Sequence, residues 1–160
     1  MKITVQKLTE SDRGWVQLIF REHWGAEFVV SRGKRHFAAD LNGFCACDEQ
    51  GDRVGLVTYC IDGAECEMVS LNAFTKFGGI GSALVDAVRN VAKSAGCTRL
   101  WLITTNDNLD AIRFYQRRGF RLIAVHANAI EISRRMKPSI PEIGNFGIPL
   151  RDELEFEIRL

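Results

Sequence analysis

The segment Lys76-Phe-Gly-Gly-Ile-Gly-Ser82 separates two kinds of hydrophobic pattern, and that separation constrains the fold more than any other feature of the chain. Before it, Glu65 to Phe74 alternates at the period of a strand. After it, Ile80, Ala83, Leu84, Ala87, Val88, Val91, Ala92 and Ala95 recur at steps of three and four, which predicts a helix with one apolar stripe, stopped at Gly96. Leu100 to Ile103 is apolar on both faces, as a central parallel strand should be. Asn106-Asp-Asn opens a second helix that carries Ala111, Ile112, Phe114 and Tyr115 and ends at Gly119, and a strand follows from Phe120 to about Val125.

The rest of the chain is organised around this unit. Lys2 to Lys7 reads as a strand, and Thr9-Glu-Ser-Asp supplies start chemistry for a helix from Arg13 to Trp24. Gly25 to Asp40, with Gly33 and basic residues at 32, 34 and 35, reads as a loop or a short second helix. Phe44 to Cys47 and Val54 to Ile61 are two strands joined by a turn around Asp48-Glu-Gln-Gly-Asp52. Ala127 to Pro149 holds all three prolines and reads as a short helix and an ordered loop, while Leu154 to Leu160 alternates as a half-buried strand. Antiparallel strands followed by strand, helix, strand, helix, strand predict an α/β (α+β) domain, with a mixed central sheet and helices on both faces.

Composition sets the outer bounds. A chain of 160 residues, 46% hydrophobic and free of repeats or linkers, forms one domain over 1–160 and needs neither disulfides nor a structural metal to fold. A formal charge of +1 gives no basic field for nucleic acid. The five cysteines lack paired zinc spacing, so no metal is expected, and Cys45-Ala-Cys47 reads as two small apolar residues on one strand face. Met1 to Lys7 has no apolar leader and no stretch reaches membrane-spanning length, so a cytoplasmic protein with reduced thiols and no membrane partner is expected.

Glycines between a strand and a helix let the backbone turn sharply and aim N–H groups outward, where the helix N-terminus adds roughly half a positive charge. That makes a phosphate cradle with Lys76 at its rim, or a plain structural turn. A dinucleotide fingerprint fails, because Leu84 stands where the third glycine belongs and the region near Leu100 and Trp101, where an acid is required, is apolar. The P-loop fails as well, since no Gly-Lys-Ser/Thr occurs.

The cradle resembles the signature of the GNAT superfamily of acetyl-CoA-dependent N-acetyltransferases: Gln or Arg, two residues, Gly, one residue, Gly or Ala. Lys76-Phe-Gly-Gly79-Ile-Gly81 matches it with Lys in the first place, keeping the charge without the planar fork. A second family element, Asn, two residues, Ala, three residues, Tyr and then Gly-Phe, is matched in full by Asn108, Ala111, Tyr115 and Gly119-Phe120. The resemblance covers Ile3 to Val125 as fold and Leu71 to Phe120 as motif, leaving 127–160 as a variable part and potential acceptor-site lid. It implies acetyl-CoA as cosubstrate without a metal, an amine acceptor that is a small molecule or a protein amino group, and a monomer or homodimer. It also implies a pyrophosphate on the N–H groups of Phe77, Gly78, Gly79, Ile80, Gly81 and Ser82, and a pantetheine arm beside the backbone of Leu71 and Ala73, with the Leu71 N–H on the thioester carbonyl. Asn108, and more weakly Asn106, would contact the arm; Ala111 and Phe114 would flank it, although helix capping explains the asparagines too.

The resemblance gives Tyr115 the role of proton donor to the departing thiolate, since a phenol of pKa about 10 carries its proton at neutral pH. An ordinary half-buried aromatic is the alternative. An amine of pKa about 10.4 must lose a proton before it attacks, and Glu67, four residues before Leu71 and so expected on the same strand face, is the candidate base. Glu65 shares the parity, and both could be exposed strand charges. Cys66 beside Glu67 leaves a ping-pong route open. Asp152, Glu153 and Glu155, next to Arg151, would favour a cationic acceptor, whereas Arg134, Arg135 and Lys137 would favour an anionic one. A non-catalytic acyl-CoA sensor and a nucleotide-binding regulatory domain are the alternatives from other functional classes.

Overall fold

The structure, a computed structural model, describes residues 2–75 and 78–160. The chain runs β1 (Thr4–Lys7), α1 (Arg13–Trp24), β2 (Phe28–Ser31), β3 (Lys34–Phe37), β4 (Asn42–Cys47), β5 (Arg53–Asp62), β6 (Glu65–Ala73), α2 (Ile80–Ser94), β7 (Arg99–Thr105), α3 (Leu109–Arg117), β8 (Arg121–His126), α4 (Ala129–Met136) and β9 (Glu153–Arg159). Seven strands form one sheet in the order β1-β4-β5-β6-β7-β9-β8, and β2 and β3 form a separate hairpin. Only β6 and β7 pair in parallel among the described strands; β7 is antiparallel to β9, so the apolar run at Leu100 borders one parallel and one antiparallel neighbour.

The hairpin corrects the expectation of a loop or short helix over Gly25 to Asp40. Val29 and Val30 supply β-branched residues, and the two-residue turn Arg32-Gly33 has positive φ at both positions (49° and 74°), the backbone that matches strand twist. The basic residues obscured a turn that Gly33 makes possible.

The helices cover both faces of the sheet. Val16, Ile19 and Phe20 of α1 pack with Val29, Leu41 and Leu56 on one face. Ile80, Leu84 and Val88 of α2 pack with Val57, Leu100 and Phe156 on the other, joined by Tyr115 of α3. Each fully buried aliphatic side chain contributes about 1.5–3 kcal/mol, so the apolar stripe read from the sequence is what fixes α2 to the sheet. No described helix is long and apolar enough to cross a membrane.

Candidate active site

The two central strands part company in the middle of the sheet. Parallel pairing is confined to Glu65–Glu67 against Arg99–Trp101, yet β6 continues to Ala73 and β7 to Thr105. A gap therefore opens beyond Glu67, edged by backbone groups that neither strand satisfies for the other. The Phe74 N–H donates to the Val54 carbonyl (2.8 Å), and strand alternation then turns the Asn72 and Ser70 amides toward β5 and those of Leu71 and Ala73 into the gap.

A bulge changes what this edge presents. Thr58 opposes Ser70 while Tyr59 opposes Met68, leaving Val69 as an extra residue in β6. Glu67 and Val69 thus face α1, whereas Leu71 joins the core under α2. This overturns the expectation that Glu67 and Leu71 share a face, because the simple count of four residues does not survive an inserted one. The consequence is chemical: a side chain on one side of the sheet and the amides beyond it are brought to the same gap.

Glu67 is only 7% exposed. The Ser31 hydroxyl donates to its Oε2 (2.7 Å), and His36 Nε2 lies 3.5 Å from Oε1 without a hydrogen-bond partner of its own. Burial pushes the Glu67 carboxyl up to about 7, against the opposing pull of Ser31 and Lys34. Burial, helped by Lys34, also holds His36 below its ordinary value, so its ring is neutral near pH 7. Ser31 and His36 stand on the unanticipated hairpin, and the run Lys34-Arg35-His36-Phe37 carries no alternation that would single them out. Cys60 Sγ is 3.9 Å from His36 Nδ1, which brings Cys60, His36 and Glu67 close enough to resemble a metal-ligand set. The Lys34 charge acting on all three opposes a cation there.

The competing candidates are occupied. Glu65 is exposed and paired with Arg99 (2.8 Å). Cys66 is fully buried in the core, where burial pushes its thiol up to about 12, so it is not a thiolate nucleophile at neutral pH. Cys45 and Cys47 are buried on β4 with no disulfide.

On the α2 side, Gly79 (φ 98°) caps the helix, and the first helical bond runs from Ala83 N–H to Gly79 C=O. The N–H groups of Ile80, Gly81 and Ser82 precede that bond and have no acceptor within the helix. A Cβ on Gly81 would lie 2.8 Å from the Phe114 ring, so glycine is what lets α3 approach here. Arg118 Nε donates to Ser82 Oγ (2.8 Å) and stacks over Phe114 (3.5 Å to the centroid). Arg113, Arg117 and Arg118 line an adjacent open cavity of about 570 Å³ with Ser82, Asp110 and Phe114. Free amides, a helix N-terminus and three guanidinium groups fit a diphosphate-bearing cosubstrate such as coenzyme A. Lys76 and Phe77 lie outside the described residues.

Tyr115 packs against the rings of Phe114, Phe120 and Phe156. Burial raises its phenol well above the ordinary value, with Arg118 opposing. Asn108 caps α3 by accepting from the Ala111 N–H (3.2 Å), and Ala111 is half-buried against the α2-side core. Asn106 is committed elsewhere: its Nδ2 donates to the Pro149 carbonyl and its Oδ1 accepts from the Arg151 and Asp152 amides, which pins the C-terminal loop and leaves little for a cofactor arm.

A second cleft of about 620 Å³ lies on the α1 side. Ser31 and Val69 border it near Glu67, α4 and the loop beyond it form the opposite wall, and Glu153 and Lys137 line it. Of the tail charges, Glu155 is held by Arg99 (2.9 Å) and His126 (3.0 Å), and Asp152 accepts from the Asn128 amide. Arg134 donates to the carbonyls of Ile140, Pro141 and Leu150, so it braces the loop rather than reaching an acceptor.

Residues 12–120 match the family model described as "Acetyltransferase (GNAT) family". The chain is 49% identical over 139 residues to the uncharacterized protein YdhI of Bacillus subtilis (strain 168), covering 86% of each chain. It shares its fold with an IAA acetyltransferase from Bacillus cereus (TM-score 0.76, 18% identity, 99% of this chain and 100% of that one). It also shares it with a GNAT family acetyltransferase from Elizabethkingia anophelis that has acetyl-CoA bound (TM-score 0.73, 19% identity, 99% and 98%). The match to the family model over 12–120 and the shared fold place the chain in the GNAT acetyltransferase family, as an acyltransferase.

Proposed function

We propose that the chain transfers the acetyl group of acetyl-CoA to a primary amine by direct attack in a ternary complex, with Glu67 as the base and Tyr115 as the proton donor. The observation that carries this reading is the buried Glu67 carboxyl, with a pKa near 7, at the mouth of the gap into which the Leu71 and Ala73 amides point. A base works best when its pKa lies near the working pH.

Bound acetyl-CoA supplies an activated thioester. The free amides at the start of α2 hold its diphosphate, Leu71 and Ala73 align its arm as an added strand would be aligned, and the Leu71 N–H draws charge onto the carbonyl oxygen. The amine arrives from the α1-side cleft. Glu67, reached past Ser31, takes its proton directly or through water, while the Tyr115 phenol returns a proton to the sulfur from the α2 side. Glu65 is not proposed as the base because Arg99 occupies it, and Asn106 is not proposed as a cofactor contact because its amide is spent on the C-terminal loop.

Thiol release from acetyl-CoA, followed with a panel of primary amines, tests this. Amine-dependent release with intersecting initial-velocity lines is expected. Coenzyme A binding with no turnover on any amine would instead make the chain a sensor, and parallel lines would point to an acyl-enzyme.

A further inference from the structure

Four charged or titratable side chains line the α1-side cleft, and three are accounted for by the protein. Glu153, 2% exposed, pairs with Arg32 (3.0 Å). Asp107 accepts from the Asn145 amide (2.8 Å) and the Thr105 hydroxyl. His23 stacks against Phe74 (5.5 Å between centroids). Lys137 differs: it is 7% exposed, and its Nζ donates to the Phe28 carbonyl (2.9 Å) beside the Phe28 ring, with no carboxylate in salt-bridge reach among the described residues. A buried ammonium has three protons to place and a charge to balance. One carbonyl places a single proton and balances no charge; burial accordingly lowers the Lys137 pKa.

Building on the acetyl-transfer reading, we propose that Lys137 forms an anion subsite in the acceptor cleft and that the acceptor is a short aminoalkyl acid, an amine carrying a carboxylate or a phosphonate. Strand β2 sets the spacing. Its Phe28 carbonyl holds Lys137, and Ser31, three residues on, touches Glu67. Three residues span about 10 Å, so the ammonium and the carboxylate are anchored within the reach of one short-chain molecule. Val29, Val30, Ile103 and Ile130 wall the cleft with aliphatic surface suited to that chain. A volume of about 620 Å³, walled opposite β2 by residues from α4 to Leu150, suits a small acceptor.

The test compares β-alanine, 4-aminobutanoate and 2-aminoethylphosphonate with propylamine and butylamine, measuring kcat and KM by thiol release from acetyl-CoA. The acids are expected to exceed the neutral amines at least about 10-fold in kcat/KM, through KM, as the gain of a charge-assisted hydrogen bond requires. In Lys137→Met the ratio of acid to neutral kcat/KM is expected to fall toward one, and Lys137→Arg to keep part of it. The carboxylate and phosphonate arms separate the two acid classes. Neutral amines serving as well as acids in the wild-type chain, or a ratio that persists in Lys137→Met, would overturn the anion subsite while leaving acetyl transfer standing. No turnover of any amine would overturn acetyl transfer and this inference together. The wild-type comparison is decisive even if Lys137→Met fails to fold.

Discussion

Glu67→Gln is expected to lower kcat/KM by about 10²–10⁴-fold, the range for a lost general base, and to stabilise the fold above neutral pH. Both effects come from the same burial. The folded Glu67 carboxyl has a pKa of about 7 against an ordinary 4.5, so the native state favours the protonated form. Its contribution to stability is full below about pH 4.5 and is lost as pH rises through about 7, amounting to about 3 kcal/mol by pH 8. Glutamine keeps an oxygen for the Ser31 hydroxyl and never ionises, so the variant escapes that loss. Urea unfolding at pH 4.5 and pH 8 is expected to show little difference at the lower pH and a more stable variant at the higher. Wild-type kcat/KM is expected to rise through about pH 7, with that limb absent in the variant; a profile flat across pH 6–8 in the wild type would remove Glu67 as the base. Lys34, His36, Cys60, Glu153 and Glu155 are the other titratable side chains that act at this carboxyl, and His36 is already neutral there.

Tyr115→Phe is expected to retain coenzyme A affinity and to lower kcat by about 10²-fold. Phenylalanine fills the same space among Phe114, Phe120 and Phe156, so the core keeps its packing. The loss is confined to one hydroxyl, and the change in unfolding free energy should stay within about 1 kcal/mol. Burial keeps the wild-type phenol protonated throughout the working pH range, so its activity should show no alkaline limb from Tyr115. Stopped assays at saturating acetyl-CoA measure the effect, and an unaltered kcat would exclude the phenol from the reaction.

How far the sequence could be read depended on whether a signal was local. The apolar stripe of α2, the glycines before it and the Asn108-to-Phe120 element are written in consecutive residues, and all lie where the pattern put them. Arg32, Lys34 and Arg35 mask the hairpin turn, whose only cue is Gly33. The bulge at Val69 is invisible to alternation, since an inserted residue shifts the parity of every residue after it. That one event leaves Glu67 on the α1 side while Leu71 faces α2. The tail charges are unreadable for a different reason: Glu153, Glu155, Asp152 and Arg134 find partners up to 121 residues away, and only the fold shows that Lys137 meets a backbone carbonyl in the cleft and no carboxylate in salt-bridge reach among the described residues.

In the acetyl-transfer reading, the parting of β6 and β7 lets one substrate from the α2 side meet another from the α1 side. A crystal structure with coenzyme A bound tests it most directly. The diphosphate is expected on the amides of residues 78–82, the arm hydrogen-bonded to Leu71 and Ala73, and the sulfur within about 3.5 Å of the Tyr115 hydroxyl. Coenzyme A bound outside the gap, or a sulfur remote from both Tyr115 and the gap, would contradict it.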